Sequence, residues 1–258
     1  MRKQVENLAA EAGALMLAHR PHAVTKKEGH ANLVTDIDEA VQRFLTERLG
    51  QICPGAELIA EEKENAPLTG RLTWVVDPID GTTNFIHGCR SSAVSIALLK
   101  DRRPVLGVIC DPYLREIYSA EAQAGARRNG EAIHVSDRPP EEALVGFGTS
   151  PYTAELNRPT MALASRCLAA CADLRRSGSA ALDLAHVACG RLDFYFELTL
   201  KPWDYAAGAL LVREAGGIFD MPCLPEADFG ASSAVLASNP ACHAFAREEL
   251  LREWPGGL

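Results

Sequence analysis

Between Glu57 and Glu121 the chain passes through five short apolar runs in succession: "ELIAEE", "LTWVVD", "AVSIALL", "PVLGVICD" and "EIYSAE". Runs of this length, rich in β-branched residues, suit strands. Strands in direct series form a sheet with apolar faces to cover, so helices or a second sheet must pack on it. Asn129-Gly130, inside "GARRNGEAIHVS", adds the strongest hairpin signal of the chain. Helical patterning precedes the series. "VENLAAEAGALMLAH" places Val5, Leu8, Ala9, Ala12, Leu15 and Met16 on an apolar stripe broken by Glu6 and Glu11, which describes an amphipathic helix and not a signal core. A second helix is predicted through Ile37, Val41, Phe44 and Leu45, with Gly50 as its stop. Past the boundary signal "RPPEE", helices are predicted in "RPTMALASRCLAACA", "AALDLAHVACG" and "DYAAGALLVREAGG", the last with Ala207, Leu210, Leu211 and Ala215 on one face. Strands are predicted in "ADLRRSGS", "LDFYFEL" and "SAVLASN", before a final helix. The order predicts two α/β halves, residues 1–138 and 139–258, with layered sheets and helices.

Composition narrows the function classes. The 258 residues are 47% hydrophobic and 23% charged, ordinary for an enzyme-sized globular protein. A net charge of −8 and the lack of a basic, aromatic-interleaved run disfavour nucleic acid and anionic membranes as partners. No stretch approaches the ~18 apolar residues of a membrane span. The eight cysteines are scattered without a C-x-x-C pair, so free thiols in a reducing cytoplasm are expected.

The chemistry-bearing residues sit at the ends of the apolar runs. "WVVDPIDGTTNF" ends a buried-type strand with Asp77, follows it with Pro78 and Asp80, and then opens a turn at Gly81. Two carboxylates so close repel unless a cation or a proton lies between them. Thr82, Thr83 and Asn84 suit a helix start, whose free N–H groups favour a phosphate. A metal-and-phosphate site and an Asx-turn with a cap both fit this stretch locally. Glu61 and Glu62 close "ELIAEE" in the same manner, at the sheet edge where α/β ligands bind, although a solvated acidic turn also fits them. Asp204 reads as the N-cap of its helix, with an oxygen to spare for a cation. In "LVTDIDEA", Thr35 or Asp36 is the predicted cap, and Asp38 is free to orient a hydroxyl. Neither a nucleophile elbow, a Walker loop, a dinucleotide fingerprint nor an H-E-x-x-H motif is present.

These segments together resemble the inositol monophosphatase family. "WVVDPIDGTTNF" looks like the family's first signature, "WDYAAGALLVREAGG" resembles its second, and "LVTDID" and "IAEE" match two more segments in the expected order. The resemblance runs from about Val5 to Asn239. It implies a layered αβαβα sandwich, an α/β (α+β) fold of the inositol monophosphatase and fructose-1,6-bisphosphatase type. It also implies hydrolysis of small phosphomonoesters by two to three Mg²⁺ ions, with lithium sensitivity and a cytoplasmic homodimer. Carried over by position, Glu61, Asp77 and the Ile79 carbonyl would hold one ion. Asp77, Asp80 and Asp204 would hold a second, with a weaker third near Glu61. Gly81 and Thr82 would receive the phosphate, Thr82 backed by Asp38 would help activate the attacking water, and Lys27 would lie on a loop over the metals. Gly178, Ser179, Ala180 and Glu197 would face the alcohol.

The chain departs from the family pattern in two places. Cys89, Arg90, Ser91 and Ser92 stand where a proline and an aromatic usually follow "NFIHG", and "GFGTSPY" replaces a glycine-phenylalanine-proline version. Both bear on substrate identity and the subunit contact, and an arginine near the site would favour a second anionic group. Histidinol phosphate, fructose 1,6-bisphosphate and a nucleotide 3′-phosphate are alternative substrates of the same chemistry. A metal-binding interaction module with little turnover is the reading from another class.

Overall fold

The first half builds one sheet and covers one of its faces with helices. A computed structural model describes residues 1–18, 23–26, 33–62, 71–222 and 228–253; Lys27 lies outside them. Helix α1 (Arg2–Ala18) precedes a small antiparallel pair, β1 (Val24–Lys26) with β2 (Leu33–Thr35), and then α2 (Asp36–Ile52). Strand β3 (Glu57–Ala60), β4 (Leu72–Asp80), the short helix α3 (Thr82–His87), β5 (Ala93–Lys100), β6 (Arg103–Asp111), β7 (Glu116–Glu121), β8 (Ala126–Arg128) and β9 (Glu131–Ala132) follow. The seven strands β3 to β9 pair in sequence order. Only β3 and β4 are parallel, and the β8–β9 turn falls at Asn129-Gly130 as predicted.

The second half is β10 (Leu144–Phe147), α4 (Asn157–Ala170), β11 (Asp173–Arg175), α5 (Ala180–Ala188), β12 (Phe194–Leu200), α6 (Pro202–Glu214), β13 (Ile218–Asp220), β14 (Ser233–Ser238) and α7 (Pro240–Glu253). Its five strands run in the order β11-β10-β12-β14-β13. Three cores divide the layers. The stripe of α1 and α2 packs Leu8, Met16 and Leu45 against Trp74, Val76 and Ile96 on one face of the first sheet. Helices α5 and α6 lie between the two sheets, with Leu184, Tyr205 and Leu211 in one cluster with Val75, Ile109 and Val235. Helices α4 and α7 cover the outer face of the second sheet through Leu163 and Leu250. The result is the five-layer αβαβα sandwich.

Three local readings are corrected, at two helices. Helix α6 has no single apolar face: Tyr205 to Val212 are all buried, because a sheet lies on either side. Helix α2 runs through Gly50 to Ile52 and is capped at Cys53, since nothing forces Gly50 out of helical geometry. The N-cap of α6 is Lys201, with Pro202 at N1, so Asp204 falls at N3 and not at the cap. Seven cysteines carry free thiols, and Cys223 lies outside the described residues. Among the described residues no helix is long and apolar enough to cross a membrane.

Candidate active site

Two strand irregularities aim the site's side chains. In the pairing of β4 with β5, Asp77 opposes Ser95 and Asp80 opposes Ala93, three residues against two. Side chains alternate faces along a strand, so residues three apart normally point to opposite sides. The extra residue of this bulge returns Asp80 to the face that Asp77 occupies. Pro78 sits inside the bulge, where its missing N–H costs no ladder bond. The Ile79 N–H then donates to the Asp77 carboxylate at 3.0 Å and fixes that side chain. A matching shift between Glu197 and Leu200 ends the β12–β14 pairing, and the chain turns directly into α6.

The strand ends and helix starts converge on a cavity of about 410 Å³. Oxygens of Asp77, Asp80 and Asp204 lie within 4.8 Å of one another. Asp77 and Asp80 are buried. Burial first, then the charges of Glu61, Asp80, Asp204 and Asp38, push the Asp77 pKa well above the usual carboxylate range. Burial, then the charges of Asp80, Glu61 and Glu197, do so for Asp204, against the bond from the Lys201 N–H. Asp80 is pushed up to about 6 by burial, against the hydrogen bonds it accepts. Acids held together in this way ask for positive charge, and hard oxygen donors in a tight group suit Mg²⁺. Glu61 lines the same cavity without joining the three-aspartate cluster.

Each aspartate also has a structural partner. The Lys201 N–H donates to one Asp204 oxygen at 2.8 Å, which leaves the other oxygen for the cluster. Asp80 Oδ2 accepts the Ala181 N–H at 2.8 Å and the Ser179 hydroxyl at 2.5 Å, so the first turn of α5 holds it. Gly178, Ser179 and Ala180 all line the cavity, but the Ser179 hydroxyl is committed to Asp80 and to the Leu182 N–H.

The opposite wall carries the hydroxyl chemistry. The Thr82 hydroxyl lies 3.1 Å from Asp38 Oδ1 and 3.0 Å from the Ile79 carbonyl, and its single proton serves one of them at a time. Asp38 is fully buried, and its other oxygen accepts the Thr35 N–H and hydroxyl, in the predicted capping box. Burial raises the Asp38 pKa, opposed by its bonds from Thr35 and Thr82. Gly81 supplies the turn with φ 86°, and a Cβ there would stand 2.9 Å from the Ser91 carbonyl. Asn84 donates to the carbonyls of Ser91 and Ser177 at 2.7 and 2.9 Å, tying α3 to both halves. The departing segment therefore supports the turn: Ser92 donates to the Gly81 carbonyl at 3.0 Å. Arg90 is exposed and absent from the cavity wall; the arginine that lines it is Arg176.

Glu197 is buried in the cavity wall, and burial raises its pKa against bonds from Tyr195 and Ser150. Asp183, Gly148, Tyr152 and Arg176 also line the cavity, Gly148 and Tyr152 as part of the departing segment "GFGTSPY". Asp183 left its own signal, as a lone acid within the apolar helix "AALDLAHVA".

A family model described as the inositol monophosphatase family matches residues 1–253. The chain belongs to the inositol monophosphatase family. Among curated relatives, a protein named Inositol monophosphatase 2 from Solanum lycopersicum is 41% identical over 213 residues, 79% of this chain and 80% of that one. A protein named Nus factor SuhB from Xylella fastidiosa is 39% identical over 217 residues, 81% of this chain and 77% of that one. The solved structure of Thermotoga maritima IMPase superposes with a TM-score of 0.87 at 33% identity, covering 96% of each chain. Family members are phosphatases that hydrolyse phosphomonoesters, and so is this enzyme.

Proposed function

We propose that this phosphatase hydrolyses small polyol monophosphates, myo-inositol monophosphate foremost, with Mg²⁺. The cluster of buried Asp77 and Asp80 with half-buried Asp204 carries the reading. Glu61, Asp77 and the Ile79 carbonyl would hold one ion, Asp77, Asp80 and Asp204 a second, with a weaker third beside Glu61. Mg²⁺ bound there supplies positive charge that polarises the phosphoryl group and lowers the pKa of water.

This chain's own residues do the rest. The free N–H groups at Gly81 and Thr82 receive phosphate oxygens. The Thr82 hydroxyl orients the attacking water and passes its proton toward Asp38, which burial keeps ready to accept one. Glu197 and the Gly178–Ala180 turn face the departing alcohol. Family membership also supports lithium inhibition, a homodimer and a cytoplasmic location.

The test is phosphate release from inositol 1-phosphate, histidinol phosphate, fructose 1,6-bisphosphate and a nucleotide 3′-phosphate, with and without Mg²⁺ and Li⁺. Mg²⁺-dependent turnover highest on inositol 1-phosphate supports the reading. A higher kcat/KM on another of these moves the substrate, and no turnover on any favours the interaction module, a reading consistent with the relative named a Nus factor.

A further inference from the structure

The loop after β10 carries an aromatic side chain that nothing in the chemistry above uses. Tyr152 is 65% exposed, yet it lines the active-site cavity. Glu61, Asp77, Asp80 and Asp204, the proposed metal ligands, line the same cavity as its ring. An aromatic ring left in water at the mouth of a polar cavity has apolar area to cover.

The backbone below Tyr152 is fixed from inside the cavity. Ser150 has φ 42°, a region that a non-glycine residue rarely occupies, and it precedes Pro151, which disfavours that conformation further. Glu197 compensates: its Oε1 accepts the Ser150 N–H at 2.8 Å and lies 3.1 Å from the Ser150 hydroxyl. Its Oε2 accepts the Tyr195 hydroxyl at 2.6 Å. Gly148 makes the approach possible, because a Cβ there would stand 1.8 Å from Glu197 Oε2. Glu197 therefore has two connections, one with the cavity and one with the loop that presents Tyr152.

We propose that Tyr152 is a specificity residue: its ring is the wall against which the carbon face of a cyclic polyol packs, while Glu197, through the positioning residue Ser150, holds it there. The proposal rests on the substrate reading above and sharpens it to ring-shaped alcohols. An alcohol with axial and equatorial hydroxyls presents C–H groups on its faces and oxygens at its edge. The faces suit an aromatic ring and the edge suits a carboxylate. A short acyclic alcohol on the same phosphate does not span from the metal ligands to the wall.

The experiment compares inositol 1-phosphate with glycerol 2-phosphate in the Mg²⁺-loaded enzyme, together with calorimetric binding of inositol 1-phosphate in Ca²⁺. Tyr152→Ala raises KM and Kd for inositol 1-phosphate roughly tenfold, the factor that covering about 50 Å² of apolar surface is worth. It leaves kcat for inositol 1-phosphate and both constants for glycerol 2-phosphate within about twofold of wild type, and Tyr152→Phe behaves as wild type. Ser150→Ala raises the KM for inositol 1-phosphate about threefold and adds nothing in the Tyr152→Ala background, because both act through one wall. Unchanged binding of inositol 1-phosphate by Tyr152→Ala, or equal losses on both substrates, overturns the proposal. So does wild-type protein that fails to bind inositol 1-phosphate at all. Binding that depends on Tyr152 without turnover sinks the proposed function and leaves the wall standing.

Discussion

At Asp77 the cost of stability and the demand of chemistry meet in one side chain. Its carboxylate is buried, with Glu61, Asp80, Asp204 and Asp38 all opposing its ionisation. Asp77→Asn keeps the shape and removes one negative charge from the cluster. Turnover is expected to fall by about 10³-fold or more, roughly 4 kcal/mol of lost transition-state stabilisation. The metal-free protein is expected to gain, because one repulsive partner has gone; about 1 kcal/mol corresponds to a rise of about 2–4 °C in Tm. Phosphate release and a melting curve in EDTA check the two arms, and a lower Tm in EDTA would refute the charge argument. This residue was legible because an apolar run that ends in an acid has no structural use for it. Asp204 was half legible: the sequence marks a helix start, but only the fold shows that Asp204 is at N3 with an oxygen left for the cluster. Gly148, Ser150 and Tyr152 were legible only as members of the departing segment "GFGTSPY"; their individual roles depend on Glu197 approaching from a strand 47 residues on.

Elements show the same division between local signal and long-range cause. The strands of the first sheet and the Asn129-Gly130 hairpin follow from short-range pattern. The burial of α6 on every side does not, because it records a second sheet that lies far along the chain. Helix α3 depends on its entry turn. Gly81→Ala meets both φ 86° and the Ser91 carbonyl, so a loss of about 1–2 kcal/mol is expected, together with a raised KM, read by denaturant titration and steady-state kinetics. Helix α5 offers a pH test. His186 stacks edge-on to Tyr118, its Nε2 is buried without a partner, and burial with the Arg191 charge lowers its pKa to about 4. In the unfolded chain it titrates near 6.5, so between those values the unfolded state binds the extra proton. Its contribution to stability is full above pH ~6.5 and is lost as pH falls toward ~4. His186→Phe should therefore flatten the acid limb of stability against pH by about 2 kcal/mol at pH ~4.5, relative to pH ~7.5, in paired denaturant titrations. A parallel shift of the two profiles would show that His186 is not the titrating group.

For the molecule as a whole, the division at residues 138 and 139 separates two sheets but not two cores. Val75 and Ile109 of the first sheet share a cluster with Leu184, Tyr205 and Val235 from the second half. Neither sheet keeps its inner face covered without α5 and α6, so we expect the halves to unfold together. The proposed ion site adds a second tie, since Asp77 and Asp80 end β4 while Asp204 belongs to α6. A cation held by all three binds the folded state alone. At a concentration of about 100 times Kd it contributes ~2.7 kcal/mol, a shift of about 5–10 °C for a domain of this size. Calorimetry should then show one transition in EDTA and one in Mg²⁺, displaced upward by that amount. Hydrogen exchange should slow for the amides of β5 and β12 by the same factor, because both sheets open only when the shared layer does. Two resolved transitions, or protection by Mg²⁺ confined to β5, would show that the halves are independent folding units and that the ion does not join them.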